Sequence, residues 1–110
     1  MGKTDINDEK FRTLLSVVGD TIQPLQSSFD SYQQEYFQQR PPEFFALELC
    51  GEAGELANKE KKLWKGKEIS LEELSEEAAD VFIALFNYAN SRNIHLAEAI
   101  ADKLEKIQPK

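Results

Sequence analysis

Two short acidic runs constrain the fold of this 110-residue chain more than any other feature: Glu48-Leu-Cys-Gly-Glu52-Ala-Gly-Glu55 and Glu76-Glu77-Ala-Ala-Asp80. Their carboxylates recur three and four positions apart, which places each set on one face of a helix. At about 100° per residue, Glu48, Glu52, Glu55, Lys59 and Lys62 share a sector of the first helix, with Phe45, Leu49, Leu56 and Leu63 in the sector beside it. On the second helix Asp80 and Asn87 line up, Glu73, Glu76 and Glu77 lie close by, and Leu74, Ala78, Val81, Leu85 and Ala89 form the neighbouring apolar stripe. In both helices the acids border the face that must be buried. Two such helices pack with their acidic edges near one another, an arrangement that calls for a shared cation.

The rest of the chain also reads as helix. Residues 1–7 are polar and expected to be loose. Asp8 opens a short N-terminal helix with Phe11, Leu14, Leu15 and Val18 on one side, and Gly19-Asp20 ends it. Pro24, a favoured first-turn residue, opens a second helix that carries Leu25, Phe29, Tyr32 and Tyr36. Pro41-Pro42 is the clearest break. The helix that follows runs from Pro42 to Trp64. It contains Gly51 and Gly54, each costing up to about 1 kcal/mol relative to Ala, which points to close approach by another backbone or a ligand. Ser70-Leu-Glu-Glu73 is a capping-box pattern that opens the next helix, and Asn93 is a good left-handed stop for it. The last helix spans Leu96 to Ile107 with His95 at its cap. Strand alternation and hairpin dipeptides are missing. The expected fold is all-α: one domain over residues 8–110, a four-helix core with a short extra N-terminal helix. Cys50, on an Ala-rich face, reads as core.

The formal charge of -7 excludes a general nucleic-acid-binding surface, which would be basic. It allows an anionic small substrate bridged by metal. No apolar run reaches the roughly 20 residues of a membrane span, no signal-peptide core is visible, and a single cysteine suits a reducing compartment. A soluble cytoplasmic protein is the expectation.

Clustered carboxylates raise one another's pKa or demand a counter-ion. An all-oxygen ligand set selects hard cations, Mg²⁺ with Mn²⁺ as substitute, over Zn²⁺. Mg²⁺ is commonly held by a few carboxylates together with substrate phosphates. The tract Lys59, Lys61, Lys62, Lys65 and Lys67 follows the acids, with Lys59 and Lys62 on their stripe, an order that suits a di- or triphosphate. The plain alternative is a solvated helix face, since Glu55 and Lys59 also make an ordinary i, i+4 pair. The matching pair on a second helix shifts the balance toward a site. Trp64 reads either as a base-stacking residue or as a core or interface residue. A di-iron centre needs Glu-x-x-His pairs, and the single histidine is outside both runs.

Glu52-Ala-Gly-Glu55 followed by Glu77-Ala-Ala-Asp80 resembles the ExxE…ExxD signature of the MazG-like nucleotide pyrophosphohydrolases, members of the all-α NTP pyrophosphatase superfamily. The likeness runs through Leu49–Leu63 and Glu76–Phe82 into Asn93-Ile-His-Leu-Ala-Glu-Ala, and covers about residues 29–105. It implies a helical core assembled as a dimer or a dimer of dimers. It also implies Mg²⁺-dependent hydrolysis of a nucleoside triphosphate to monophosphate and pyrophosphate, as in house-cleaning of non-standard or excess nucleotides. By the same likeness Glu52, Glu55, Glu77 and Asp80 are the metal ligands, and Glu48 or Glu52 activates water. Lys59, Lys62 and Lys103 meet phosphate; Asn87 and Trp64 are the further substrate-binding candidates. Phe29, Tyr32, Phe37 and Trp64 are the aromatic candidates for the base. The chain departs from the family in its C-terminal Leu-Glu-Lys-Ile-Gln-Pro-Lys and in Ala84, where many relatives carry an aromatic. A non-catalytic dimerising module that binds nucleotide or metal is therefore the alternative.

Overall fold

Apolar residues at helical spacing and two strong stop signals produce an antiparallel hairpin of helices at the centre of the molecule. The computed structural model describes residues 2–108, with side chains from Asp8 onward. Its helices are α1 (Gly2–Tyr36), α2 (Pro42–Trp64), α3 (Leu71–Ser91) and α4 (Leu96–Ile107), and no strand occurs among the described residues. α2 packs along α3, while α1 packs against α4 and against the C-terminal part of α3.

Local chemistry explains the boundaries. Pro42 stands in the first turn of α2, where its missing N–H costs nothing. α2 closes with Gly66 at φ 91°, and the Lys67 amide reaches back 3.0 Å to the Lys62 carbonyl. α3 closes in the same way through Asn93 at φ 57° and the Ile94 amide 2.9 Å from the Ala89 carbonyl. Both are Schellman-type ends that satisfy terminal carbonyls. At the other end of α3 the capping box forms as expected. The Glu73 amide donates to Ser70 Oγ at 3.1 Å, and the Ser70 amide donates to Glu73 Oε2 at 3.0 Å.

α1 departs from the sequence reading. It runs unbroken through Gly19-Asp20 and Pro24 where a helix end and a fresh start are expected, and it includes residues 2–7, expected to be loose. A proline inside a helix removes one hydrogen bond and crowds the preceding turn. Packing on both sides of Pro24 outweighs that local cost. Val18 is buried before it, Gln26 is buried after it, and the Phe29 ring stacks on Phe86 at 5.2 Å.

Gln26 is the central polar contact between the two layers. Its Nε2 donates to Asn90 Oδ1 (3.0 Å) and to the Ile94 carbonyl (2.7 Å), and its Oε1 accepts from the Leu96 amide (3.0 Å). Asn90 Nδ2 returns a bond to the Gln26 carbonyl at 3.2 Å. His95 occupies the N-cap position of α4, but its side chain makes no capping bond. Gln26 caps α4 from another helix instead.

The buried face of α3 matches expectation only in part. Glu77, Ala84, Phe86 and Ala89 are its buried residues; of the expected stripe Ala89 is buried and Leu74 and Val81 are half-buried, whereas Ala78 and Leu85 are exposed. Cys50 is exposed as well, not core. A side chain added at Gly51 or Gly54 would meet nothing within 4 Å, so no close approach within the described protomer accounts for these glycines. The result is an open shape. The radius of gyration is 17.2 Å, against about 13 Å for a compact chain of this length.

Candidate functional site

The antiparallel pairing of α2 and α3 faces their acidic edges toward each other. It brings carboxylate oxygens of Glu52, Glu55 and Glu77 within 4.8 Å of one another. Glu77 is buried, Glu52 half-buried and Glu55 exposed. Asp80, exposed and one turn along α3 from Glu77, lies close enough to Glu52 to share a hydrogen bond when one of the two is protonated.

Glu52 carries most of the tension. Its Oε2 is fully enclosed and has no hydrogen-bond partner. Enclosure pushes its carboxyl above the ordinary range. The charges of Asp80 and Glu55, the bond with Asp80 and the charge of Glu77 push it further in the same direction. A carboxylate so placed is stabilised by a proton or by a cation.

One basic side chain reaches the cluster among the described residues. Lys59 Nζ is 3.4 Å from Glu77 Oε2 and 4.0 Å from Glu73 Oε1. Glu73 itself is held below the usual carboxylate range, first by the Ser70 amide, then by the Ser70 hydroxyl, and to a lesser extent by Lys59 and Lys62. Lys59, expected to wait for phosphate, is therefore already engaged with the acids. Lys62 is exposed on the same edge of α2.

Two adjoining depressions open next to the cluster. One, of about 590 Å³, is aromatic: Phe29, Tyr32, Phe37, Phe44 and Phe45 line it, with Ile83, Asn87 and Glu48 on the acidic side. The other, of about 570 Å³, is rich in side-chain amides and shares Gln33, Phe37, Gln38, Arg40, Phe45 and Asn87 with the first. Arg40 lies over the Phe44 ring, 4.8 Å from its centre. Glu48, one turn before Glu52, is exposed and stands at the edge between acids and aromatics.

Of the residues marked in the sequence, Glu48, Glu52, Glu55, Glu77, Asp80, Asn87, Lys59 and Lys62 fall in or beside this region. Phe29, Tyr32 and Phe37 line the aromatic depression. Trp64 and Lys103 do not belong to this group. Trp64 is 85% exposed at the far end of α2 and lines neither depression. Lys103 is exposed on α4, which packs on α1, and it also lines neither. Neither residue packs in the protomer core, so the core reading of Trp64 is corrected. Gln33, Gln38, Arg40 and Phe44 are not marked as site residues by the sequence, and Phe45 reads there only as part of an apolar face, because only the tertiary fold sets the α1–α2 corner against Ile83 and Asn87 of α3.

The donor set fits a hard divalent ion. It is all oxygen, drawn from two helices, and it contains one enclosed carboxylate oxygen that no protein donor satisfies. No helix among the described residues is long and apolar enough to cross a membrane. Comparison with known proteins gives one family match: a model described as MazG nucleotide pyrophosphohydrolase domain, over residues 40–110, the segment that holds every one of these carboxylates. No curated protein and no solved structure matches.

Proposed function

Because the chain belongs to the MazG nucleotide pyrophosphohydrolase family, we propose that it hydrolyses a nucleoside triphosphate to the monophosphate and pyrophosphate with Mg²⁺ bound at Glu52, Glu55, Glu77 and Asp80. The observation that carries this reading is the enclosed, unpartnered oxygen of Glu52 at the meeting point of two acidic helix edges. Mn²⁺ offers the same oxygen preference and serves as a substitute.

Such an ion, when bound, acidifies a coordinated water and neutralises phosphate charge. The chain's own residues do the rest. Glu52 and Glu77, on facing helices, fix the spacing of the acidic edges. Glu48, at the border between the cluster and the aromatic depression, accepts a proton from the attacking water or orients it. Lys62, exposed one turn beyond Lys59, supplies a point charge for the distal phosphates. Phe29, Tyr32, Phe37, Phe44 and Phe45 provide flat apolar surface for a base. Asn87 lines both depressions and offers an amide to polar atoms of sugar or base.

The working form we infer is a homodimer or a dimer of dimers. The protomer exposes 8367 Å², whereas a compact monomer of 12.6 kDa exposes about 6,200 Å². The excess, about 2,200 Å², is within what one protomer of an obligate dimer covers. Leu71, Phe82 and Leu85 on the outward side of α3 and Leu47 and Trp64 on α2 are among the large apolar residues left uncovered. A role for Trp64 or Lys103 at the site would require a second copy to bring it there. The free Cys50 agrees with a cytoplasmic setting, and house-cleaning of non-standard or excess nucleotides is the use that suits such chemistry.

The test is pyrophosphate release from a panel of standard and modified deoxynucleoside triphosphates, with Mg²⁺ and with chelator. Release that needs Mg²⁺ is expected for at least one of them. A binding module without turnover would retain nucleotides and release no pyrophosphate.

A further inference from the structure

Lys59 is the least expected participant in the carboxylate cluster. Glu77 is only 7% exposed, and a buried carboxylate needs a compensating partner. Lys59 Nζ provides it at 3.4 Å. The same Glu77 offers an oxygen to the group that includes Glu52 and Glu55. An ammonium and a divalent ion cannot both sit against that carboxylate without strong repulsion.

Glu73 gives the ammonium somewhere else to go. Its Oε2 is held by the Ser70 amide at 3.0 Å and the Ser70 hydroxyl at 3.2 Å, so the α3 cap fixes this carboxylate in place. Its Oε1 faces Lys59 Nζ at 4.0 Å. One carboxylate thus closes a helix end with one oxygen and anchors a lysine with the other. Glu73 and Glu77 are one turn apart on α3, and the flexible four-carbon stem of Lys59 spans the difference by a small rotation.

We propose that Lys59 is a built-in counter-ion that competes with the divalent cation for Glu77, and that Glu73 is the positioning residue that receives its ammonium when the cation binds. This rests on the metal reading above. It makes the ion's affinity a property of the lysine as well as of the acids. It also leaves Lys59 held at the edge of the cluster, toward the polyphosphate, once Glu77 is occupied.

The test is calorimetric titration of the full chain with Mn²⁺ alone, without nucleotide, in the wild type, Lys59→Met, Glu73→Gln and the double variant. Lys59→Gln runs in parallel, since it keeps a hydrogen bond to Glu77 without the charge. Both Lys59 variants should bind Mn²⁺ roughly 5- to 100-fold tighter than wild type. Glu73→Gln, which preserves the capping pattern, should bind Mn²⁺ more weakly, because the ammonium is then left to Glu77. In the Lys59→Met background that weakening should shrink to less than about twofold. Unchanged or weaker binding in both Lys59 variants overturns the proposal. So does a Glu73→Gln effect of equal size in both backgrounds, the signature of a general loss of negative charge. A wild type that binds no Mn²⁺ at millimolar concentration overturns the metal reading, and this inference with it.

Discussion

Two polar side chains with enclosed atoms, the buried Gln26 and the half-buried Glu52, make opposite use of their surroundings. Gln26 is 8% exposed, and its amide satisfies Asn90, the Ile94 carbonyl and the Leu96 amide together. Glu52 has one oxygen as fully enclosed, and nothing donates to it. Burying a polar atom costs little when its bonds are remade and much when they are not. The first arrangement is therefore structural, holding the α1–α4 layer to α3. The second stores an unmet demand for positive charge at the α2–α3 edge, the condition a ligand site satisfies on binding.

If the contrast holds, substitutions at the two places separate activity from stability. The largest effect is expected at Asp80, exposed and beside Glu52. Asp80→Asn should lower metal-dependent pyrophosphate release by roughly 100-fold or more, with thermal stability nearly unchanged. Steady-state kinetics together with a melting curve would show it, and a rate within a few-fold of wild type would remove Asp80 from the site. Gln26→Ala should do the reverse. Three side-chain bonds are lost and the Leu96 amide loses its cap, so a cost of about 2–4 kcal/mol is expected. Chemical denaturation measures that cost, while activity per folded molecule should stay near wild type. A stability change under about 0.5 kcal/mol would mean the clamp is dispensable.

These contrasts were only partly legible in the sequence. α2, α3 and α4 could be bounded from Pro41-Pro42, the Ser70–Glu73 box and Asn93, because those signals act over a few residues and the structure obeys them. The acidic edges were legible for the same reason, since i, i+3 and i, i+4 spacing on a helix needs no tertiary information. The continuity of α1 was hidden because Gly19 and Pro24 are genuine local breakers, overruled by packing with α4 and α3. α3 buries residues on more than one side, because it packs against both α2 and α1, and a single helical stripe does not foretell that. Gln26 left a signal that went unread. It is a polar residue in line with Val18, Ile22 and Phe29 on the buried side of α1. The pairing of Lys59 with Glu77 left none, because it depends on how the two helices align.

Two smaller effects sharpen the comparison. Mg²⁺ or Mn²⁺ should raise the melting temperature, since an ion that binds only the folded chain at about 100 times its Kd contributes about 2.7 kcal/mol. Gln26→Ala should keep that shift and Glu55→Gln should reduce it, as differential scanning fluorimetry would show. The smallest effect is in pH. Glu52 is raised above its ordinary value of 4.5, so the folded chain binds a proton that the unfolded chain has already released. Its contribution is therefore most favourable at acid pH and is lost as pH rises from the ordinary value through the raised one. Without added metal, wild type should lose stability relative to Glu52→Gln over that interval, read from paired denaturation curves. Equal slopes would show that Glu52 titrates normally.

The central claim is that the unmet charge demand at Glu52 is the catalytic demand. The most direct test follows Glu52→Gln and wild type side by side, for Mg²⁺-dependent pyrophosphate release from the best triphosphate substrate and for melting temperature without metal. The account predicts release reduced at least roughly 100-fold in a variant that melts no lower than wild type, because a neutral amide relieves the crowded charge. Undiminished release, or a variant that loses its fold as Gln26→Ala is expected to weaken it, would contradict the account.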